Sequence, residues 1–197
     1  MSSSGRPRDP EVDQRITRAA MDLFGETGWA GFAMEAVARR AGVGKASLYL
    51  RWSTKEALLT DALTASLPHV SDVDTGTLQG DLIELATQIL DVYAGPSSRA
   101  AIRLMVEGRT IPGVAENYAA TRQAQILAAR AIIQRGQARG ELSPAVSVTL
   151  LLETLLGGAM MHALTAPPDG NAAHARRLVD FLLNAGITSA PPGTRTA

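Results

Sequence analysis

Between Ala33 and Trp52 the chain reads AMEAVARRAGVGKASLYLRW, two short runs of helical periodicity joined by one Gly-Val-Gly turn. Few folds accept that arrangement. Met34, Val37, Ala38 and Ala41 recur at i, i+3, i+4 and i+7, the mark of a helix over about Met34 to Arg40 with one buried face. Gly42-Val43-Gly44 makes the turn, with Val43 as an apolar pin between the two helices. The second helix is short, about Lys45 to Leu50. It turns Leu48 inward and carries Lys45, Ser47, Tyr49 and Arg51 on or beside its outer face. Cation, hydroxyl and phenol groups so spaced suit phosphates and base edges, and a helix-turn-helix sets such a helix in a major groove.

The same helical period runs through the rest of the chain. Ala and Leu dominate, β-branched runs are few, and no stretch alternates apolar and polar residues over strand length. The expected fold class is all-α, with about nine helices. Asp9-Pro10-Glu11 starts the first, with a capping Asp and Pro at the first helical position. Ile16, Ala19, Ala20, Leu23 and Phe24 form its buried face, and Gly28 is its stop. Ser53-Thr54-Lys55-Glu56 fits a capping box in which Ser53 and Glu56 satisfy free amides. The helix behind it buries Leu58, Leu59, Ala62 and Leu63 and closes at Pro68.

Further helices are expected over about 78–93, 97–107, 114–137, 143–163 and 172–184, with Ser143-Pro144 opening the fourth of these. The expected organisation is a flexible basic arm over 1–10 and a helix-turn-helix domain over 11–67, its motif at about 33–52. A helical sensor and dimerisation domain follows over 68–187, then a disordered tail over 188–197.

Charge and composition narrow the function classes. Net charge is zero, which argues against a general nucleic-acid coat protein. Residues 1–60 carry nine Lys+Arg against seven Asp+Glu, and 61–197 ten against twelve, a weak basic bias toward the N-terminal part. Both lysines of the chain, Lys45 and Lys55, lie in or beside the helix-turn-helix. The chain has no cysteine, so neither a disulfide framework nor a thiolate metal site is expected. The polar start MSSSGRPRDP lacks an apolar signal-peptide core, and the apolar stretch over 144–164 is broken by Glu153, threonines and His162. A soluble, cytoplasmic protein without a membrane span is expected. Histidines 69, 162 and 174 are scattered, with no metal-binding pair at helical spacing. Gly42-Val43-Gly44-Lys45 fails as a phosphate loop, because Arg39 replaces its first Gly and Ala46 its Ser or Thr. No enzyme activity, cofactor or metal is expected.

Residues 15–60 carry a larger pattern: Gly28, Ala38, Ala41-Gly42-Val43, Lys45, Leu48-Tyr49, Trp52 and Ser53-Thr54-Lys55-Glu56. These spacings resemble the DNA-binding domain of TetR-family transcriptional regulators. The resemblance implies an N-terminal three-helix domain joined by a fourth helix to a variable helical domain that binds ligand and dimerises. It implies that Gly44 and Lys45 open the recognition helix, with Lys45 reaching a base edge or phosphate. By the same resemblance Ser47 and Tyr49 meet phosphate or base, Lys55 holds a phosphate, and Trp52 packs between helices. Arg51, beside them on the outer face, joins the candidate DNA contacts. In the arm, Arg6 and Arg8 resemble minor-groove hooks. The chain departs from the family pattern at Ala33, where a capping Thr or Ser is usual, which should cost about 1 kcal/mol. It also departs at Gly44 and Leu50, where polar side chains are frequent.

The C-terminal half is less explicit. The stretch Arg135-Gly-Gln-Ala-Arg139-Gly140-Glu141-Leu142 looks like a turn common in one branch of the family. The helix beginning at Ser143 is apolar on nearly every side, so it needs burial on two faces. One face would pack in its own domain. The other, with the helix around Leu178 to Leu183, would form an intersubunit four-helix bundle. Leu151, Leu155, Gly158, Met161 and Phe181 are the interface candidates. Met105, Tyr118 and His162 are candidate ligand contacts, with Arg103, Glu107 and Arg109 as possible pocket edges. An aliphatic cavity with few polar points suits an apolar or amphipathic small molecule.

The reading is a DNA-binding regulator, a ligand-responsive repressor acting as a homodimer on a pseudo-palindromic double-stranded operator. Its alternative is a helical protein that binds small molecules or partners and has weakened or lost DNA binding, given Ala33 and Gly44. Residue by residue the plainer readings also stand: Tyr49 packed in a core, Lys45 and Lys55 as solvated lysines, and the apolar helix buried within a monomer.

Overall fold

The computed structural model describes residues 9–66, 73–166 and 170–188, which form nine helices and no strand. In chain order these are α1 (Pro10–Gly31), α2 (Met34–Ala41), α3 (Lys45–Tyr49), α4 (Lys55–Ser66), α5 (Leu78–Ala94), α6 (Ser98–Glu107), α7 (Ala115–Ala138), α8 (Val148–Thr165) and α9 (Asn171–Thr188). They divide into two compact units. One comprises Met1–Leu67 with Ser97–Ala119, the other Pro68–Pro96 with Ala120–Ala197. The segment containing α6 and the start of α7 therefore packs with the N-terminal helices, although in sequence it lies beyond α5.

The first unit is built around α1. The Asp9 carboxylate accepts from the Glu11 amide at 3.0 Å, and Pro10 opens the helix. Ile16, Ala20 and Phe24 line the face that meets Val37, Leu48, Leu58 and Leu59. Burying each of these side chains other than Ala20 contributes about 1.5–3 kcal/mol. The helix does not stop at Gly28. It kinks there (φ 66, ψ −173) and runs one short turn further, to Gly31. Phe32 then meets Phe24 edge-on at 6.4 Å and stacks on Trp29 at 6.0 Å.

Between α2 and α3, Gly42 takes the left-handed conformation (φ 66, ψ 37), and the Val43 amide reaches back to the Ala38 carbonyl at 3.0 Å. Ala33 gives α2 no side-chain cap, as its methyl group requires. The capping residue of α4 is Thr54 rather than Ser53: the Thr54 hydroxyl accepts from the Ala57 amide at 3.2 Å. Adjacent hydroxyls compete for that role, and the sequence alone does not rank them.

In the second unit Leu82, Leu85 and Ile89 of α5 pack with Ile132 of α7, Leu155 of α8 and Val179 of α9. The Arg135-to-Leu142 turn is a staple on the start of α5. Arg135 donates to the Val73 carbonyl, Gly136 lies against Leu78, and the Glu141 carboxylate accepts from the Leu78 amide at 2.5 Å. Arg139 binds Glu141 and reaches Asp81, which is fully buried. Helix α8 begins at Val148, five residues beyond the expected Ser143. The Ser147 hydroxyl caps the Leu150 amide at 3.3 Å, while the Gln137 amide donates to the carbonyls of Ser143 and Val146 and holds that stretch as a turn.

Candidate nucleic-acid interface

Helix α3 is anchored by Leu48, which is fully buried, and exposes Lys45, Ala46, Tyr49 and Leu50. Tyr49 is 41% accessible and Leu50 82%, so the phenol does not belong to the core. Gly44, also exposed, precedes α3 in an extended conformation and leaves its first turn uncovered. Trp52 is buried as expected, its indole N–H donating to Asp61 at 2.8 Å.

Lys45 does not stand alone. Its ammonium lies 2.6 Å from Glu35 Oε1, and the Tyr49 hydroxyl donates to the same oxygen at 3.5 Å. The hydrogen bond from Lys45 holds the Glu35 carboxyl below its ordinary pKa, and Glu35 in turn raises that of Lys45. Thus the face expected to be cationic carries a carboxylate from the first turn of α2. Sequence reasoning missed it, because the pair is separated by the turn and nothing in either helix alone signals the meeting.

Arg51 and Ser47 have a different placement from the free contacts expected. The Arg51 guanidinium binds Asp13 of α1 at 2.5 Å, the Ser47 carbonyl at 3.1 Å and the Ser47 hydroxyl at 2.9 Å. Only 16% of the Arg51 side chain is accessible. The first task of this pair in the folded chain is to hold the end of α3 onto α1.

Lys55, half-buried at the first residue of α4, rests its ammonium 3.7 Å above the Trp29 ring and 3.5 Å from the Phe32 carbonyl. A cation at a helix N-terminus works against the helix dipole, whereas an anion there is favoured. Lys55 is thus a cation at the N-terminal end of α4, held against Trp29 and Phe32. Arg6 and Arg8 lie outside the described residues.

The other candidate residues fall as follows. Met105 and Tyr118 belong to the first unit, where Tyr118 packs against the core and beside Gly108. His162 belongs to the second unit, stacked on His174 at 3.5 Å with the rings 4° from parallel. The three are therefore not gathered into one unit. Arg103 and Glu107 are an ion pair at 2.9 Å on the wall of an open groove of 290 Å³, with Gly25, Arg99, Ile102 and Val106. Of the interface candidates, Leu151 and Leu155 are buried in the protomer's own core, and Gly158 faces Leu178 of α9. Met161 and Phe181 are exposed. The exposed apolar face of α8 carries Leu150, Gly157 and Leu164 beside the candidate Met161, since a helix apolar all round gives no sign of which side faces its own core. By length and composition α8 alone among the described helices could cross a membrane, a test that apolar helices of soluble proteins also pass. No group of three or more His, Cys, Asp or Glu able to hold a metal occurs among the described residues.

Known proteins share this fold. Residues 16–62 match the family described as bacterial regulatory proteins, tetR family, and residues 72–182 match the tetracyclin repressor-like C-terminal domain. The HTH-type transcriptional regulator AqdR of Rhodococcus erythropolis is 33% identical over 156 residues, covering 79% of this chain and 74% of that protein. Among solved structures, the TetR-family regulator PfmR from Thermus thermophilus superposes with a TM-score of 0.72 at 21% identity, over 86% of this chain and 97% of its own. AibR, solved in complex with isovaleryl coenzyme A and operator DNA, superposes with a TM-score of 0.70 at 20% identity, over 87% and 98%. At those identities the structures establish the fold, while the two matched domains and AqdR establish descent: this chain belongs to the TetR family of DNA-binding transcriptional regulators.

Proposed function

We propose that this regulator is a cytoplasmic, ligand-responsive repressor that binds a pseudo-palindromic operator as a homodimer. The observation that carries the reading is the exposed end of α3, with Lys45, Ala46, Tyr49 and Leu50 accessible and a further cation, Lys55, opening α4. In this reading Tyr49 and Lys55 hold phosphates, and Lys45 reaches a base edge or phosphate once it leaves Glu35. Gly44 lets the backbone approach the duplex, and Ser47 and Arg51 add contacts while bracing α3. Ala46 and Leu50 supply an apolar surface for thymine methyl groups. Arg6 and Arg8 would enter the adjoining minor groove.

The dimer reading draws support from the uncovered face of α8 and from Phe181 on α9, large apolar groups of the kind that interfaces bury. Two subunits would then offer their α3 helices about 34–36 Å apart, one duplex turn. The effector is read as an apolar or amphipathic small molecule, a class that includes the acyl thioester bound by AibR. Its binding lowers operator affinity by linkage. No catalytic step is assigned to the chain.

Titration of the full chain against its own upstream DNA tests the reading. Sequence-preferring affinity that falls steeply with salt is expected, since phosphate contacts release counterions. Light scattering should give the mass of a dimer, and Met161→Glu should give a monomer. A second reading, a helical binding protein with weakened DNA affinity, is favoured by one observation: Glu35 neutralises Lys45, and Ala33 caps nothing. Binding equally weak to every duplex at any salt would select it.

A further inference from the structure

Helix α1 is interrupted at Gly28, and the interruption is held from a distant part of the chain. The Glu107 carboxylate, at the end of α6, accepts from the Trp29 amide at 2.8 Å through one oxygen. Its other oxygen takes the Arg103 guanidinium at 2.9 Å. Glu107 thus supplies an acceptor to the first amide beyond the kink. Gly28 is required twice over. Its φ of 66 lies where side chains are strained, and a Cβ there would come within 2.7 Å of the Glu107 carboxylate. Donation from the Trp29 amide is the leading reason that Glu107 ionises more readily than an ordinary glutamate; burial opposes the shift and Arg103 adds to it.

The short turn beyond the kink carries the Trp29 ring. That ring stacks on Phe32 and lies under the Lys55 ammonium, which also bonds to the Phe32 carbonyl. Glu107 and Lys55 do not touch, yet both are tied to the same turn of chain. The segment Ser97–Ala119 that holds Glu107 is joined at both ends to chain belonging to the second unit.

We propose that Glu107 is a positioning residue for DNA binding: by bonding the Trp29 amide at the α1 kink, it fixes the aromatic seat from which Lys55 meets a phosphate. A shift of α6 that draws Glu107 away lets the turn relax and removes Lys55 from its seat. Arg103 sets the carboxylate's aim. The proposal rests on the reading of Lys55 as a phosphate contact, and its test separates the two.

The test is a double-mutant cycle on the full chain, read by binding to the chain's own upstream duplex over a salt series. Lys55→Ala alone should weaken binding and flatten the dependence of log K on log salt by about 0.9, one phosphate contact. Glu107→Ala should weaken binding about 3–10-fold with the same flattening, and the double variant should lose little beyond either single variant, because coupled sites do not add. Losses that multiply in the double variant would overturn the link, since a merely structural Glu107 lowers stability without being coupled to Lys55. If Lys55→Ala changes nothing, the proposal falls at Lys55 and not at Glu107. Fluorescence supplies a readout free of DNA. With Trp52→Phe, Trp29 is the one remaining tryptophan, and Glu107→Gln should shift its emission as the seat loosens. An unchanged spectrum refutes the relay even where Glu107→Ala does not fold.

Discussion

Glu35 Oε1 and the Lys45 ammonium lie 2.6 Å apart, so the leading cation of α3, the helix proposed to read DNA, is already paired in the free protein. If Lys45 contacts DNA as proposed, a phosphate or a guanine edge must compete with Glu35 for it, and phosphates that come near Glu35 are repelled. In the proposed reading this arrangement weakens indiscriminate binding and leaves Lys45 available where the base offers more than the carboxylate does. Glu35→Gln should therefore raise affinity for random duplex, steepen its salt dependence by about one phosphate contact, and narrow the margin between operator and non-operator DNA. Competition binding with both duplexes measures this. Uniformly weaker binding would show instead that Glu35 serves recognition directly, as by accepting from a cytosine amino group.

Leu50 is the most exposed large apolar residue among those described, on the same face as the exposed Lys45, Ala46 and Tyr49. Leu50→Ser should leave binding to random duplex nearly unchanged and reduce preference for a thymine in the operator. Replacing that thymine with uracil, which lacks the methyl group, should cost the wild type about as much as the Leu50 change, roughly 1 kcal/mol. A wild type indifferent to uracil would remove Leu50 from base reading.

Asp81 is wholly buried and should govern the acid stability of the second unit. Burial alone would raise its pKa. The Thr75 amide at 2.6 Å, the Thr75 hydroxyl at 2.7 Å and Arg139 at 3.4 Å outweigh burial and hold it below the ordinary aspartate value. The folded chain then binds fewer protons than the unfolded one, so this stabilisation is present above the unfolded pKa and lost as pH falls through the folded value. Asp81→Ala should lower unfolding free energy at neutral pH by about 2–3 kcal/mol and flatten the acid limb. Urea titrations at several pH values report both effects.

The stacked pair His162 and His174 predicts a second pH effect in a milder range. Burial first, then His162 and Arg177, lowers the pKa of His174, and its Nε2 is buried without a hydrogen-bond partner. Neutral in the fold, this ring takes up a proton more readily when the chain unfolds. Its contribution is therefore intact above about pH 6.5, the unfolded value, and declines as pH drops from there toward the folded value. Thermal midpoints should fall over that window in the wild type and hold steadier in His174→Leu. Equal slopes in the two proteins would discount the pair.

Much of the first unit was legible because its signals are local. The face from Ile16 to Phe24 is a period readable in one helix, and Gly42 announces a left-handed turn by lacking a Cβ. Leu48 and Trp52 announce burial by being apolar at the right spacing. The candidate site was legible in outline, since α3 does expose Lys45 and Tyr49, but its partners were not. Glu35 meets Lys45 across a turn, Asp13 takes Arg51 from 38 residues away, and Glu107 reaches Trp29 from 78.

What this sequence determined by itself was helix, turn and outward chemistry, because each follows from residues within one or two turns of each other. The tertiary structure alone decided which cations are already paired, that residues 97–119 join the N-terminal helices, and which side of α8 is left open. Those outcomes depend on which surfaces meet when helices pack, and an ion pair or a buried face exists only once two distant segments share the same space.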